Sequence, residues 1–166
     1  MKELILVRHA KSDWGTEFLK DIDRPLNERG YRDAYALSDW YAKNKTRPDL
    51  ILSSTAIRAL NTAFIFARRM DLAPVRLEEK IYEAGTDRLL SVIRQQEGAY
   101  ESIMLFGHNP SISNVCNNLS DDLFFDDIPT CGIVSYNLKM SSWVDLKSKT
   151  AKLNYFQFPK DFKNKD

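Results

Sequence analysis

Two stretches of the chain are apolar without interruption, and each stops abruptly at a polar cluster that carries a histidine. Leu4-Ile5-Leu6-Val7 runs into Arg8-His9, and Ile103-Met104-Leu105-Phe106 into Gly107-His108-Asn109-Pro110. Short runs with no polar alternation fit strands buried on both faces, as in a parallel sheet covered by helices. Asp49-Leu50-Ile51-Leu52, after Pro48, reads as another strand, Val75-Arg76-Leu77 as a short one, and 133–138 and 151–158 as the last two. Between these runs the period changes. Apolar residues at 31, 34, 35, 37, 40 and 41 predict a helix to about Lys45, with Asn27 as its N-cap and Leu26 and Tyr31 as a hydrophobic staple. Ala56 to Met70 predicts a second helix, with Phe64, Ile65 and Phe66 expected in the core. Thr86 is placed to cap a third helix through Leu89, Leu90, Val92 and Ile93. Pro110, at a first helical position with Asn109 as cap, opens a fourth that ends near Leu119. Residues 11–26, broken by Gly15 and Pro25, form a polar loop of a length that is often functional.

Strands alternating with helices point to an α/β fold, a three-layer α/β/α sandwich around a mostly parallel central sheet. The chain has 166 residues, with no internal repeat and no low-complexity linker. It reads as one domain over 1–158, followed by a charged, solvated tail over 159–166.

Composition changes this picture mainly by exclusion. Twenty-four basic and 23 acidic side chains leave a net charge of +1, so no global field favours nucleic acid or an anionic membrane as partner. The apolar run at the N-terminus is too short for a signal-peptide core, and nothing approaches the roughly 20 residues that span a bilayer. Cys116 and Cys131 stand in no C-x-x-C pair, and neither precedes an arginine as a cysteine-based phosphatase loop requires. Two unpaired thiols fit a cytoplasmic protein.

The chemistry gathers on one predicted rim. Ligands of open α/β sheets bind beyond the carboxyl ends of the strands. At those ends stand Arg8 and His9, then Ser53 and Ser54 with Arg58 one turn on, then His108. The chain has two histidines, and both fall here, with two arginines and the N-termini of the helices near Ala56 and Pro110. Helix N-termini present N–H donors and a positive dipole end. The cluster suits an anion of about the size of phosphate. Two histidines could also ligate a metal, with Asp13 and Asp23 nearby in sequence, but flanking arginines repel a divalent cation. No metal and no cofactor is expected.

These residues carry a family resemblance. Arg8-His9-Ala10 with Lys11-Ser12-Asp13-Trp14, then Asp23-Arg24-Pro25-Leu26-Asn27-Glu28-Arg29-Gly30, then Ser53-Ser54-Thr55-Ala56-Ile57-Arg58-Ala59, and Gly107-His108-Asn109-Pro110 follow one another in order. Over about residues 3–138 the chain resembles the phosphoglycerate mutase-like histidine phosphatase superfamily. Within it, the short SixA-type phosphohistidine phosphatases are closer than the mutases. The resemblance implies that His9 attacks phosphorus in line and that water then discharges the phosphohistidine. It gives Arg8, Arg58 and His108 the equatorial oxygens, with His108 protonated when phosphate is bound. Ser12, the backbone N–H of Asn109, Arg24 and Trp14 are further candidate substrate contacts. Glu83, in Tyr82-Glu83-Ala84, stands where many members keep a general acid, though a plain turn carboxylate fits there equally.

The shortness of the chain leaves little material for a cap over the cleft, which favours a phosphorylated protein as partner. A small phosphorylated metabolite, such as a sugar phosphate or nucleotide, is the alternative within the same chemistry. A phosphate-recognition module without turnover is the alternative outside it, and an intact His9 argues against that.

Overall fold

The computed structural model describes residues 1–15 and 17–163. Six strands form one sheet: β1 (Lys2–Arg8), β2 (Leu50–Ser53), β3 (Val75–Leu77), β4 (Ser102–Gly107), β5 (Ile133–Leu138) and β6 (Ala151–Gln157). Their order across the sheet is β3-β2-β4-β1-β5-β6. The pairings β3-β2, β2-β4 and β4-β1 are parallel, whereas β5 runs antiparallel to both β1 and β6. The sheet is therefore mixed, with a parallel block of β3, β2, β4 and β1 at one side.

Five helices accompany it: α1 (Glu28–Asn44), α2 (Ile57–Arg69), α3 (Thr86–Arg94), α4 (Ser111–Leu119) and the short α5 (Lys160–Lys163). Side chains alternate across a strand, so each central strand feeds two cores. Leu4, Leu6, Leu52, Ile103 and Leu105 pack with α3 and α4, while Ile5, Val7, Ile51, Met104 and Phe106 pack with α1 and α2. This explains the apolar runs and makes the fold a three-layer α/β/α sandwich. Among the described residues, no helix is long and apolar enough to cross a membrane.

The helix starts refine the sequence reading. Asn27 caps α1, its Oδ1 accepting from the Gly30 N–H at 2.8 Å. Gly85, not Thr86, stands at the cap of α3, and Pro110 lies one residue before α4. Asn109 still serves that helix, because its Oδ1 accepts from the Ser113 N–H at 3.2 Å. Phe64 is exposed rather than core. The buried stripe of α2 runs through Ala59, Ala63, Phe66 and Ala67, and Phe64 falls outside it. Beyond β6, Phe162 of α5 packs against Trp40, with ring centres 6.3 Å apart, so the segment expected as a solvated tail begins with a core contact. Residues 164–166 of that tail lie outside the described residues.

The long loop after β1 has a tied neck. Asn27 N–H donates to the Lys11 carbonyl at 3.0 Å, Ser12 and Leu26 form an isolated antiparallel bridge, and Asp13 N–H donates to the Pro25 carbonyl at 2.9 Å. Within the loop, Asp21–Asp23 form one turn of 3-10 helix. The neck depends on Gly30. A Cβ there would stand 2.0 Å from the Lys11 carbonyl oxygen, with backbone on both sides unable to yield.

Gly30→Ala is expected to lower stability by about 1–3 kcal/mol, as overpacking does, with a matching fall in the urea midpoint. An unchanged midpoint would show that the loop neck moves freely.

Candidate active site

Three adjacent parallel strands, β2, β4 and β1, end at one level. Arg8 pairs with Gly107 and Ser53 with Phe106 in the last rungs. The ladder continues for one more step on each side, through His9 N–H to the Gly107 carbonyl at 3.0 Å and Ser54 N–H to the Phe106 carbonyl at 3.1 Å. Next-door backbones therefore launch His9 and His108 together, and their ring centres are 5.2 Å apart. Around them lies an open pocket of about 330 Å³, lined by residues that include Arg8, His9, Ser12, Arg24, Arg58 and His108.

The ring of His9 is oriented from behind. Its Nδ1 lies 2.7 Å from the Ala10 carbonyl oxygen. A carbonyl only accepts, so Nδ1 carries the proton and Nε2 keeps its lone pair. Burial pushes His9 down to about 3, opposed by the Ala10 bond and reinforced by the charges of His108, Arg58 and Arg8. At neutral pH the ring is uncharged, as a nitrogen nucleophile must be.

Arg8 and Arg58 flank this imidazole, and each is held at its far end. Arg8 Nη1 donates to the Ile128 carbonyl at 2.6 Å and to Asp127 Oδ1 at 3.3 Å. Arg58 donates through Nη1 to the Asp21 carbonyl at 2.7 Å and through Nη2 to Asp21 Oδ2 at 3.0 Å. In both, Nε is buried with no partner among the described residues, and the same holds for Nδ1 of His108. Buried polar atoms are normally satisfied. These three, which are not, belong to residues lining this one pocket.

His108 reaches Ser54, with Nε2 and Oγ 2.8 Å apart. Burial, then the Arg58 charge, pushes His108 down to about 4. At neutral pH this ring is uncharged, so the protonated form expected with phosphate bound has to be induced by the ligand's negative charge.

Asn109 lines the pocket, and its side chain donates to Asp127 Oδ1 at 2.7 Å and to the Ile128 carbonyl at 3.1 Å, the acceptors that Arg8 uses. Ser12 is buried, its Oγ accepting from Arg24 Nη1 at 2.7 Å. The Arg24 guanidinium stacks on the Trp14 ring, 3.5 Å from its centre, and leaves Trp14 73% exposed at the pocket mouth.

Glu83 is not brought to the site. It is an exposed turn residue with φ 55° and lies outside the pocket lining. The turn sends its neighbour Tyr82 inward instead. The Tyr82 hydroxyl donates to Asp21 Oδ2 at 2.6 Å, and its ring lies 5.7 Å from that of His108. The carboxylate that does line the pocket is Asp21, which sequence reasoning passed over in favour of Asp13 and Asp23. Its one sequence signal is a spacing of three residues to Arg24, and the two pair at 3.1 Å. The Tyr82 hydroxyl, then Arg58 and Arg24, hold Asp21 down to about 2 against its burial. Lys11 and Thr130 line the pocket as well. Lys11 belongs to the segment after Ala10, whereas Thr130 carries no sequence signal. Among the described residues, no group of three or more His, Cys, Asp and Glu is arranged to hold a metal ion.

Comparison with known proteins places this fold in a family. Residues 4–102 match the pattern that defines the histidine phosphatase superfamily (branch 1). An uncharacterised protein of Mycobacterium leprae is 30% identical over 165 residues, which cover 93% of this chain and 100% of its own. The structure of the candidate phosphohistidine phosphatase SixA from Agrobacterium tumefaciens superposes with a TM-score of 0.81 at 30% identity, over 94% of this chain and 97% of that one. The protein histidine phosphatase SixA complexed with tungstate shares the fold, with a TM-score of 0.78 at 17% identity over 97% of this chain and 99% of that one.

NMR titration should find both imidazoles neutral in the free protein above about pH 5, since His9 is pushed to about 3 and His108 to about 4. Saturating phosphate should move the His108 titration upward. A free-protein midpoint near the ordinary histidine value of about 6.5 for either ring would contradict the burial argument.

Proposed function

Because the chain belongs to branch 1 of the histidine phosphatase superfamily, we propose that it hydrolyses phosphohistidine in a protein, through a phosphohistidine of its own at His9. The coarser statement needs no proposal: it is a hydrolase of the phosphatase kind. One observation carries the finer reading. The pocket joins a neutral, pre-oriented imidazole to the guanidiniums of Arg8 and Arg58, yet Asp21, the one carboxylate among its described lining residues, is held ionised by Tyr82, Arg58 and Arg24. Phosphoryl positioning is provided for, and a carboxylic acid for the leaving group is not.

That asymmetry bears on the substrate. An alkoxide leaving a phosphate ester needs a proton, and a positioned acid contributes roughly 10²–10⁴-fold. Imidazole leaving a phosphoramidate is a far weaker base, and its second ring nitrogen can take a proton from solvent. In the first step Nε2 of His9 bonds to phosphorus as the substrate's P–N bond breaks and its electron pair returns to the departing imidazole. In the second, water attacks phosphorus, the P–Nε2 bond breaks, and the proton of the water passes to phosphate or solvent. Arg8, Arg58 and His108 would neutralise the equatorial oxygens, and the backbone N–H of Asn109, Ser12, Arg24 and Trp14 would meet the substrate around them. The positive charge comes from side chains, so no metal or cofactor enters this scheme.

The open pocket suits an approaching protein surface, with exposed Trp14 at its edge. We place the protein in the cytoplasm, since Cys116 and Cys131 are both free and buried.

Brief incubation with a radiolabelled aryl or acyl phosphate should give a phosphoenzyme stable in base and lost in acid. His9→Ala should abolish it and lower turnover on the order of 10³-fold or more, and EDTA should leave turnover intact. Among substrates, kcat/KM should be highest for a phosphohistidine protein, and Glu83→Gln should alter it little. Faster turnover of sugar phosphates, with a loss in Glu83→Gln, would transfer the assignment to a small-molecule phosphatase. Phosphate binding without any labelling would make the protein a recognition module.

A further inference from the structure

Arg8 and Arg58 come from different elements, yet they meet the same kinds of acceptor. Each is held by one carboxylate oxygen and one backbone carbonyl, Arg8 through Nη1 alone and Arg58 through Nη1 and Nη2. For Arg8 these are Asp127 Oδ1 at 3.3 Å and the Ile128 carbonyl at 2.6 Å, and for Arg58 they are Asp21 Oδ2 at 3.0 Å and the Asp21 carbonyl at 2.7 Å. Each keeps Nε buried and unpartnered among the described residues. A guanidinium is planar, so capturing its Nη end fixes the plane of the whole group. We propose that Asp21 and Asp127 are positioning residues: each holds one pocket arginine by its Nη end and so fixes the guanidinium plane that meets the phosphoryl oxygens.

Both carboxylates have further contacts that fit this role. Asp21 Oδ1 takes Arg24 Nε at 3.1 Å and its Oδ2 takes the Tyr82 hydroxyl at 2.6 Å, so one side chain fixes both Arg58 and Arg24. Asp127 Oδ1 also accepts from Asn109 Nδ2 at 2.7 Å, which joins the Arg8 clamp to the turn before α4. Neither aspartate is buried: the side chains of Asp21 and Asp127 are 50% and 71% exposed. A core role is therefore a poor explanation, and both substitutions should leave the fold intact.

A competing role makes the opposite prediction. If Asp21 merely occupied the phosphate's place in the pocket, removing its charge would tighten oxyanion binding. Positioning requires the reverse, because a guanidinium released from its grip must be re-ordered by the ligand.

The proposal rests on the pocket being a phosphoryl site, and binding of inorganic phosphate and of tungstate by calorimetry tests both levels separately. No binding by the wild type would remove that underlying reading. With the wild type binding, Asp21→Asn and Asp127→Asn should each weaken both oxyanions by about ten-fold, at an unchanged melting temperature. Tighter or unchanged binding in either variant would overturn the role for its arginine. The coupling is decisive for Asp21. Lysine cannot be gripped end-on, so in an Arg58→Lys background Asp21→Asn should have little further effect. A full additional loss there would reduce Asp21 to a strap for its loop.

Discussion

The runs Leu4–Val7 and Ile103–Phe106 are buried on both faces and carry no polar side chain, and that constraint arranges the site. Alternate side chains of each run go to two different cores, so on the carboxyl side the first polar groups stand where the runs stop. Arg8, His9 and His108 stand at that point, and Ser54 joins them from β2 alongside. Because the three strands are neighbours and parallel, their last rungs share one level, and residues far apart in sequence arrive within hydrogen-bonding range. The site is a consequence of where the apolar runs stop.

Collecting four cations around a histidine creates a second problem, since like charges repel and a protonated His9 could not act as a nucleophile. Two features meet it together. Burial favours the neutral form of both imidazoles, and the arginine charges reinforce that preference. Asp21 in the pocket lining and Asp127 beside Arg8 offset part of their repulsion. The remaining direction is set by the Ala10 carbonyl, which accepts from Nδ1 and leaves Nε2 as the basic nitrogen. Tautomer, charge state and orientation are fixed before a ligand arrives, so little reorganisation is left for the reaction itself.

What could be read from the sequence follows from this division between local and tertiary causes. The apolar runs, the Asn27 cap and the paired histidines announce themselves through composition at fixed offsets, and the α/β/α layering follows from them. The reversal of β5 does not, because strand direction depends on how the chain returns after α4 and not on the six residues of the strand. Asp21, Tyr82 and Asp127 are invisible for a similar reason. Each is an ordinary loop residue whose partners lie 37, 61 or 119 positions away. The Tyr82-Glu83 pair shows how narrow the margin is. The turn is legible in the sequence, but at Glu83, whose backbone is in the left-handed region, the carboxylate is exposed while the phenol of Tyr82 meets His108 and Asp21. Sequence offsets locate a turn to within a residue or two, and one residue is the difference between an acid and a positioning hydroxyl.

That one-residue displacement has chemical weight. A carboxyl at the position of Tyr82, free of arginine partners, would be available to protonate an ester oxygen. In its place is a phenol pushed up to about 12, first by its bond to Asp21, which keeps its proton at any ordinary pH. The aspartate it meets is driven the other way and stays ionised. The pair is thus locked in its proton distribution, with the hydroxyl as donor and the carboxylate as acceptor, and neither can exchange a proton during turnover near neutrality. Such a pair serves to hold Arg58 and Arg24 steady. An ionised carboxylate engaged by two guanidiniums is an acceptor and not an acid, so in this pocket Asp21 favours order in the cations over proton donation.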